Sequence, residues 1–367
     1  MQVNHKFLPH RLISKEIIHE LSRTVTQGEE LGRLSDSQLS ILYTQKWLKI
    51  FVPIEMGGLD LSLPDALELE ETLAWIDGSL GWTVTLCAGA NWFIGFLEPD
   101  IANSLFNSSR VCLAGSGSPT GVARFTQKGF MVTGSWKYAT GSSHATAFTA
   151  NCVLQNSEGE TLLDKDGNPL IHSFLFLKEE VKVSASWNSY GMKATSSNSF
   201  SVDELAIPKE RSFIIGTNHV KVDHPLYYFP FQQFAEATLA VNFSGLAQKF
   251  LELSVRIFSE RSNLPEYKAL GSKIETTFIK IEEEFWSIRR NFYTLIEESW
   301  SKCEIDKAIS LPLLERVSQI SKELALTSRR LTEELYPYCG MTAANKDSEI
   351  NRVWRNIHTA SQHIMML

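Results

Sequence analysis

The last thirty residues carry the side chains whose types and spacing are best suited to chemistry. Read as one helix, this stretch separates a polar face from an apolar one. The polar face collects two guanidinium groups, an amide, a hydroxyl and an imidazole: Arg352, Arg355, Asn356, Thr359 and His363. The apolar face repeats at three- and four-residue steps: Ile350, Val353, Ile357, Ala360 and Ile364. Because an imidazole can exchange a proton near neutral pH, His363 is the first candidate for acid–base chemistry, against the alternative of a solvated face.

The composition of the chain narrows the class of protein. Its 367 residues, 43% of them hydrophobic and 21% charged, are typical of a globular protein of two or three domains. A formal charge of −7 argues against a nucleic-acid partner, which requires clustered Lys and Arg. No apolar run approaches the ~20 residues of a membrane-spanning helix. Residues 1–6 lack the basic-then-apolar pattern of a signal peptide.

The cysteines indicate the compartment. They are far apart, odd in number and without a C-x-x-C pair: Cys87, Cys112, Cys152, Cys303 and Cys339. This pattern is typical of reduced thiols in a cytoplasmic protein and predicts neither a zinc site nor a disulfide framework. We therefore expect a soluble, cytoplasmic and metal-free protein.

The N-terminal third of the chain, residues 1–108, is predicted to be a helical domain. Ser62, Pro64 and Asp65 supply a helix N-cap, an early proline and a first-turn acid. An apolar stripe follows, and Asp77 with Gly78 ends this predicted helix before a second apolar segment. Trp92 and Phe93 in that segment are expected to be core residues rather than pocket residues.

The pattern changes near residue 109 and again near residue 216. Between residues 109 and 215, short alternating runs separated by turn residues predict strands at 130–136, 147–154, 173–177 and 181–187. Residues 216–367 contain four segments long enough for a helical bundle, at 234–257, 270–300, 311–336 and 347–367. The acidic run 282–284 is read as a solvated helix face. The prediction is an α+β fold, mainly α, with an N-terminal helical domain, a central antiparallel β-domain and a C-terminal four-helix bundle.

Four ordered segments resemble the acyl-CoA dehydrogenase superfamily of flavoproteins. They are Pro53-Ile54-Glu55-Met56-Gly57-Gly58-Leu59, Gly129-Phe130-Met131-Val132-Thr133-Gly134-Ser135-Trp136-Lys137-Tyr138-Ala139-Thr140-Gly141, Gly191-Met192-Lys193-Ala194-Thr195-Ser196-Ser197 and Arg352-Val353-Trp354-Arg355-Asn356. The last stands where the family has R-x-x-R-D, so Asn356 replaces the usual aspartate. The segments span roughly 300 residues in the family's order, which is far more specific than one motif.

The resemblance implies roles for individual residues. In the family, an aromatic at the position of Tyr138 packs near the flavin ring, and a hydroxyl at that of Thr140 reaches flavin N5, with Ala139 between them. The residues expected to lie against the flavin pyrimidine through backbone groups are Leu113, Ala114, Gly115 and Ser116. Arg355 is a further candidate for cofactor binding. The family also implies a homotetramer with C-terminal bundles packed at its centre.

Two details separate the branches of the family. The common dehydrogenases place a catalytic glutamate nine residues after the R-D pair, which here is Ile364. A second group places it on the first bundle helix, where Glu236 is one residue out of register and so only a weak candidate. The oxygen-using branch carries W-x-F-x-S-G-x-x-H-A and R-x-W-R-D…A-x-x-H. This chain follows both, ending the first at His144 and the second at His363.

We therefore predict a flavin-dependent oxidoreductase, a monooxygenase component that uses reduced FAD or FMN to hydroxylate an aromatic or other cyclic small molecule. Thr140, His363 and His144 are the candidate catalytic residues, although His144 equally fits a loop histidine bonded to backbone. A separate flavin reductase is an expected partner. The alternatives are an acyl-CoA dehydrogenase and a non-catalytic member that has lost flavin. The G-x-G at residues 115–117 is not a dinucleotide fingerprint, because Pro119 stands where a helix would open.

Overall fold

The computed structural model describes residues 8–366, so the prediction made for residues 1–6 lies outside it. Six helices build the N-terminal part: α1 Lys15–Arg23, α2 Val25–Leu31, α3 Asp36–Thr44, α4 Leu63–Ile76, α5 Gly78–Asn91 and α6 Pro99–Phe106. The Ser62 hydroxyl accepts the Asp65 N–H at the start of α4, as its sequence predicts. The Asp77 carboxylate caps α5 through the Leu80 N–H.

The central part is one seven-stranded sheet with the order β5-β6-β2-β1-β3-β4-β7. Its strands are β1 Leu113–Thr126, β2 Gly129–Ala139, β3 Ala147–Gln155, β4 Ile171–Leu177, β5 Lys182–Ser184, β6 Asn198–Pro208 and β7 Ser212–Phe213. Every neighbouring pair is antiparallel except β1 and β3, which run parallel. The strand expected at 181–187 is shorter, since the Asn198 side chain takes the N–H groups of Ser186 and Trp187 out of the ladder.

Long helices build the C-terminal part: α7 Pro225–Tyr228, α8 Phe231–Arg261, α9 Pro265–Asp306, α10 Leu311–Ala344 and α11 Glu349–Ala360. A kink near the end of α10 follows Pro337 and falls at Gly340, where φ is +59°. The predicted fold class is confirmed: a mainly helical α+β chain whose sheet lies between two helical regions. The domain boundaries at 108 and 215 stay predictions.

Small residues bring α4, α5 and α8 into close contact. A Cβ added to Gly81 would lie 2.5 Å from the Ala74 backbone, and one added to Gly245 would lie 2.3 Å from the Glu71 carbonyl oxygen. The Glu71 carboxylate is fully buried and receives two guanidinium nitrogens of Arg289, at 2.8 and 2.6 Å. Tyr293 donates to the same carboxylate at 2.8 Å. This paired charge joins α4 to α9.

Two local predictions are wrong at least in part. In the acidic run 282–284, Glu282 is buried, while Glu283 is exposed as predicted. The final helix ends at Ala360, not at the end of the chain, so Ile364 lies beyond it and is 75% exposed. The alternative of a solvated polar face on this helix does not hold for Arg355 and Asn356, which are buried. Among the described residues, no helix is long and apolar enough to cross a membrane.

Candidate active site

Two segments predicted to contact a cofactor lie on the neighbouring strands β1 and β2. The Thr120 hydroxyl donates to the Ser135 carbonyl at 2.7 Å, in the antiparallel register of this pair. β1 loses its pairing with β3 between Ser116 and Gly121, and the four residues from Gly117 to Thr120 are exposed. The two predicted segments therefore lie on neighbouring inner strands of the sheet, and β1 is irregular and exposed just after the first of them.

The β1 segment offers backbone rather than side chains. Leu113 and Ala114 are buried, at 0% and 1% exposure. A Cβ on Gly115 would lie 2.3 Å from the Thr149 hydroxyl oxygen, so no side chain fits there. Gly115 and Ser116 are partly exposed. This arrangement suits the predicted backbone contact with a cofactor, which stays a prediction.

Tyr138 is held in a conformation that non-glycine residues rarely adopt. Its φ is +65°, next to the point where β2 breaks its register with β6. Tyr138 is 69% exposed, and its ring meets that of Trp187 edge-on, with centroids 6.3 Å apart and planes at 81°. The following residue, Ala139, points inward and is fully buried. The bulge therefore turns a large aromatic ring out of the sheet, where a planar ligand can stack on it.

The Thr140 hydroxyl begins a chain of three buried hydroxyl groups. Its Oγ1 lies 2.9 Å from Ser197 Oγ, which lies 2.8 Å from Thr195 Oγ1. The Thr195 hydroxyl donates to the Met192 carbonyl oxygen at 2.9 Å. Thr140, Ser197 and Thr195 are 5%, 5% and 1% exposed. The Thr140 side chain is therefore fixed in direction by its neighbours.

Helix α5 connects the Thr140 turn to His363. The Cys87 thiol lies 3.6 Å from the Thr140 carbonyl oxygen, and the Cβ of any side chain at Gly141 would lie 2.4 Å from that sulfur. Five residues earlier on the same helix, the Trp82 ring meets the His363 ring edge-on, with centroids 5.8 Å apart. The hydroxyl and the imidazole predicted to be catalytic therefore border the same helix.

Helix α5 presents an apolar stripe that is not fully covered. Its members, Trp82, Leu86 and Gly89, recur at four- and three-residue steps and so share one face, and Leu86 and Gly89 are partly exposed. Phe93 follows in the 3-10 helix Trp92–Phe96, and its ring lies 5.6 Å from that of Phe231 on α8. Trp92 is 1% exposed and stacks on Phe234, as expected for the core, whereas Phe93 is only partly buried. The α5 stripe and Phe93 together form partly exposed apolar surface.

His363 follows α11 in a turn. Its Nδ1 accepts the Met365 N–H at 3.4 Å, so the neutral ring carries its proton on Nε2. Burial lowers the pKa of the imidazole below its ordinary value. At neutral pH this ring is therefore a hydrogen-bond donor through Nε2.

His144 lies beside the N-terminal helices. Burial, with smaller contributions from Arg33 and Lys178, lowers its pKa to about 4, and Asp36 opposes the shift. Its Nε2 is buried without a hydrogen-bond partner among the described residues. A ring with so low a pKa is a weak base at neutral pH, which argues against acid–base catalysis by His144. Its catalytic role stays a prediction.

Arg355 binds other parts of the chain. Its two terminal nitrogens pair with the Glu29 carboxylate of α2 at 3.1 and 3.0 Å, and its Nε donates to Asn351 at 3.0 Å. One of the terminal nitrogens also donates to the Tyr190 carbonyl. Such a bidentate pair fixes geometry as well as charge. Arg355 thus joins α11, α2 and the loop before β6, and its predicted contact with a cofactor stays a prediction.

Sequence reasoning missed the partners of Thr140. Ser197 and Thr195 belong to one of the matched segments, but they are more than fifty residues from Thr140 in sequence. Cys87 and Trp82 carried no motif at all. The only available signal was the spacing of the α5 stripe. Glu236, the weak candidate base, is buried on α8 and accepts the Gln232 amide at 3.2 Å.

The described residues contain no group of three or more His, Cys, Asp or Glu side chains that could hold a metal ion. Comparison with known proteins gives a family match over residues 238–367, to the acyl-CoA dehydrogenase C-terminal domain.

Two relatives that match most of the chain are named as monooxygenases. An indole-3-acetate monooxygenase of Pseudomonas putida is 23% identical, over 87% of this chain and 80% of its own length. The oxygenase subunit HsaA of a flavin-dependent monooxygenase of Rhodococcus jostii is 22% identical, over 95% and 92%. Both matches extend well beyond the acyl-CoA dehydrogenase domain.

Solved structures have the same acyl-CoA dehydrogenase fold. The 3-HSA hydroxylase of a Rhodococcus species superposes with a TM-score of 0.88 at 18% identity, covering 96% of this chain and 91% of the other. XiaF of a Streptomyces species, in complex with FADH2 and glycerol, gives 0.82 at 18% identity, covering 96% and 89%. The likeness in fold therefore spans nearly the whole chain.

The residues on β1 and β2 fit the flavin that the acyl-CoA dehydrogenase fold implies. Tyr138 is an exposed aromatic residue, and an added Cβ on Gly117 would meet no heavy atom within 4 Å, so the backbone is accessible there. Thr140 provides a hydroxyl held by Ser197. An aromatic face, accessible backbone groups and a positioned hydroxyl are suited to a planar, hydrogen-bonding heterocycle.

Proposed function

We propose that this protein is the oxygenase component of a two-component monooxygenase that hydroxylates an aromatic or other cyclic small molecule. The observation that carries the proposal is that the Thr140 carbonyl and the His363 ring both contact α5, through Cys87 and Trp82. A hydroxyl, an apolar wall and a proton-bearing imidazole are the groups that oxygen activation on a flavin requires from a protein. The monooxygenase activities named for the relatives support the same class of reaction.

Flavin is the proposed cofactor. Reduced flavin, when bound, supplies electrons to dioxygen and passes one oxygen atom to the substrate. In our proposal Tyr138 stacks against the ring, Gly115 and Ser116 contact its edge through backbone groups, and Thr140 holds N5. The FADH2 in the structure of XiaF supports a reduced flavin, and we leave FAD and FMN open as the form used here.

The α5 stripe is the proposed substrate wall. Leu86, Gly89 and Phe93 present partly exposed apolar surface beside the Thr140 turn, and Phe231 faces them from α8. An aromatic substrate that covers this surface removes water from the reacting atoms and gains hydrophobic and ring–ring contacts. The position of the common dehydrogenases' base is Ile364, which is no base. Glu236 accepts from Gln232 through Oε1, while its Oε2 is buried without a partner among the described residues, so an acyl-CoA dehydrogenase is kept as the alternative in the test below.

His363 is the proposed acid–base residue. Its Nδ1 is occupied by the Met365 N–H, so the ring offers Nε2–H to the oxygen atom that is being transferred or to the oxygen of a phenolic substrate. A positioned proton donor of this kind typically contributes 10²–10⁴-fold to a rate.

The partners are proposed from the relatives. One is named an oxygenase subunit, so we propose a separate flavin reductase that delivers reduced flavin to this chain. We also propose a homotetramer, which light scattering would test by measuring its mass. We propose a cytoplasmic location as well, because the five cysteines are all free thiols.

A rapid-mixing experiment tests the function. Protein loaded anaerobically with reduced FMN is mixed with oxygenated buffer, and we expect a lag before the absorbance of oxidised flavin returns, in contrast to free reduced FMN. Thr140→Val should shorten the lag, while Thr126→Val, at an exposed site on β1, should not. Reoxidation of the wild type as fast as free FMN, together with anaerobic reduction of oxidised flavin by acyl-CoA, would favour the dehydrogenase instead.

A further inference from the structure

The hydroxyl chain at Thr140 has one closed end and one open end. At the closed end the Thr195 hydroxyl lies 2.9 Å from the Met192 carbonyl oxygen, which can only accept. Ser197 stands between Thr195 and Thr140, at 2.8 and 2.9 Å. Among the described residues, the Thr140 hydroxyl has no hydrogen-bond partner beyond Ser197.

This arrangement fixes the direction of the three protons. If Thr195 donates to Met192, its oxygen accepts from Ser197, and Ser197 in turn accepts from Thr140, so every hydroxyl proton has an acceptor. In the reverse direction the Thr140 proton faces outward without an acceptor in the described chain. Buried hydroxyl groups avoid an unsatisfied proton, which costs about 1–3 kcal/mol. The first direction is therefore the resting one in this buried site, and it leaves lone pairs of the Thr140 oxygen without a donor among the described residues.

The two redox states of flavin differ at the atom that Thr140 faces. Reduced flavin carries a hydrogen on N5 and donates it, whereas N5 of oxidised flavin carries only a lone pair and accepts. We propose that Ser197 and Thr195 are positioning residues that hold the Thr140 hydroxyl as a hydrogen-bond acceptor, so that the site prefers reduced over oxidised flavin. This inference rests on the proposed function, which places flavin N5 at Thr140.

The size of the preference for reduced flavin follows from the hydrogen bond that is lost between Thr195 and Met192 when the chain reverses. Reversing the chain gives up the bond from Thr195 to Met192, but the Met192 carbonyl oxygen keeps the indole N–H of Trp187, at 2.9 Å. The reversal therefore costs about one hydrogen bond, which corresponds to roughly a five- to tenfold change in relative affinity.

The test is a set of anaerobic binding titrations with reduced and oxidised FMN, repeated with FAD. The quantity is the ratio of the two dissociation constants, oxidised over reduced. Ser197→Ala frees the Thr140 proton to donate, so the ratio should fall by roughly five- to tenfold. Thr195→Val removes the acceptor of Ser197 and reverses the remaining pair, so the ratio should fall at least as far. Thr195→Ser keeps the hydroxyl and is the matched control, with an unchanged ratio.

Reduced 5-deazaflavin, which has carbon in place of N5, isolates the contact itself. It should bind the wild type more weakly than reduced FMN, and Thr140→Val should abolish this difference. In the Thr140→Val background, Ser197→Ala should no longer change the ratio. Thermal unfolding of each variant establishes that it is folded.

Two results overturn the inference in distinguishable ways. If Thr140→Val weakens reduced FMN but Ser197→Ala and Thr195→Val leave the ratio unchanged, Thr140 contacts N5 and the hydroxyl chain does not set its direction. If Thr140→Val leaves reduced FMN and 5-deazaflavin binding unchanged, the N5 contact in the proposed function is itself wrong.

Discussion

The Asn356 Oδ1 atom accepts the Met192 N–H at 2.7 Å, although the two residues are 164 positions apart. The carbonyl of the same Met192 accepts the Thr195 hydroxyl. One residue therefore joins α11 to the hydroxyl chain at Thr140. The asparagine that departs from the family's usual aspartate keeps an acceptor oxygen at the required place, so the departure does not remove this contact.

Replacing Asn356 tests that link. Asn356→Leu leaves the buried Met192 N–H without an acceptor, and we expect the free energy of unfolding to fall by about 1–3 kcal/mol in urea titrations. Asn345→Leu is the control, since Asn345 is exposed at the end of α10. Equal effects of the two substitutions would contradict the assignment.

His363→Asn tests the proposed proton donor. The variant replaces the imidazole with an amide of similar size, so reduced flavin should bind as before. The lag before reoxidation should shorten by roughly tenfold or more, because the imidazole proton donor is lost. His358→Asn is the matched control, since its ring lies on α11 against Trp354, with centroids 4.3 Å apart. A lag in His363→Asn equal to that of the wild type would count against the role.

The pKa of His144 predicts a pH dependence of stability. The folded ring resists protonation until about pH 4, whereas the unfolded ring binds a proton near its ordinary pKa of 6.5. The unfolded state therefore binds more protons in this window, and the free energy of unfolding falls by up to about 3 kcal/mol as the pH drops through it. His144→Gln should remove this slope, while His19→Gln, on the exposed side of α1, should keep it. Parallel curves for all three proteins would exclude His144 as the source.

The buried pair of Glu71 and Arg289 predicts a large loss of stability. Glu71→Gln leaves the guanidinium without its charge partner, and breaking such a pair typically costs about 3–5 kcal/mol. Glu298→Gln, which removes the partner of Arg316 at 3.7 Å on the surface, should cost less than about 1 kcal/mol. Denaturant titrations give both values, and a cost for Glu71→Gln as small as that control would refute the structural role.

Much of the fold was predictable from sequence because its signals are local. The Ser62 cap, the long amphipathic runs of α8 to α10 and the matched segments each depend on neighbours in the chain. β1 escaped prediction because Gly115, Gly117 and Pro119 weaken the strand pattern, whereas the strand forms through pairing with β3 up to Ser116 and with β2 and β3 after Gly121. The last helix was extended too far since Ile364 continues the apolar period beyond its end.

The site was predictable only in part. Thr140 and His363 follow from motifs, but their surroundings depend on contacts between distant segments. The direction of the Thr140 hydroxyl depends on Ser197 and Thr195, and the position of His363 depends on Trp82. Arg355 pairs with Glu29 because the fold brings α11 against α2, and no spacing in the sequence indicated this pair. Side-chain type is local information, whereas hydrogen-bond direction is not.

Different residues of α5 make different contacts, so some positions of this helix can be changed without disturbing the others. Cys87 contacts the Thr140 carbonyl, Thr85 receives the Asn242 amide of α8 at 2.9 Å, and Trp82 contacts the His363 ring. Leu86 and Gly89 make none of these contacts and are partly exposed, so substitutions there can change the apolar surface while the hydroxyl chain and His363 keep their positions. A small library at these two positions would alter which ring systems fit, and one scaffold could yield catalysts for different ring sizes.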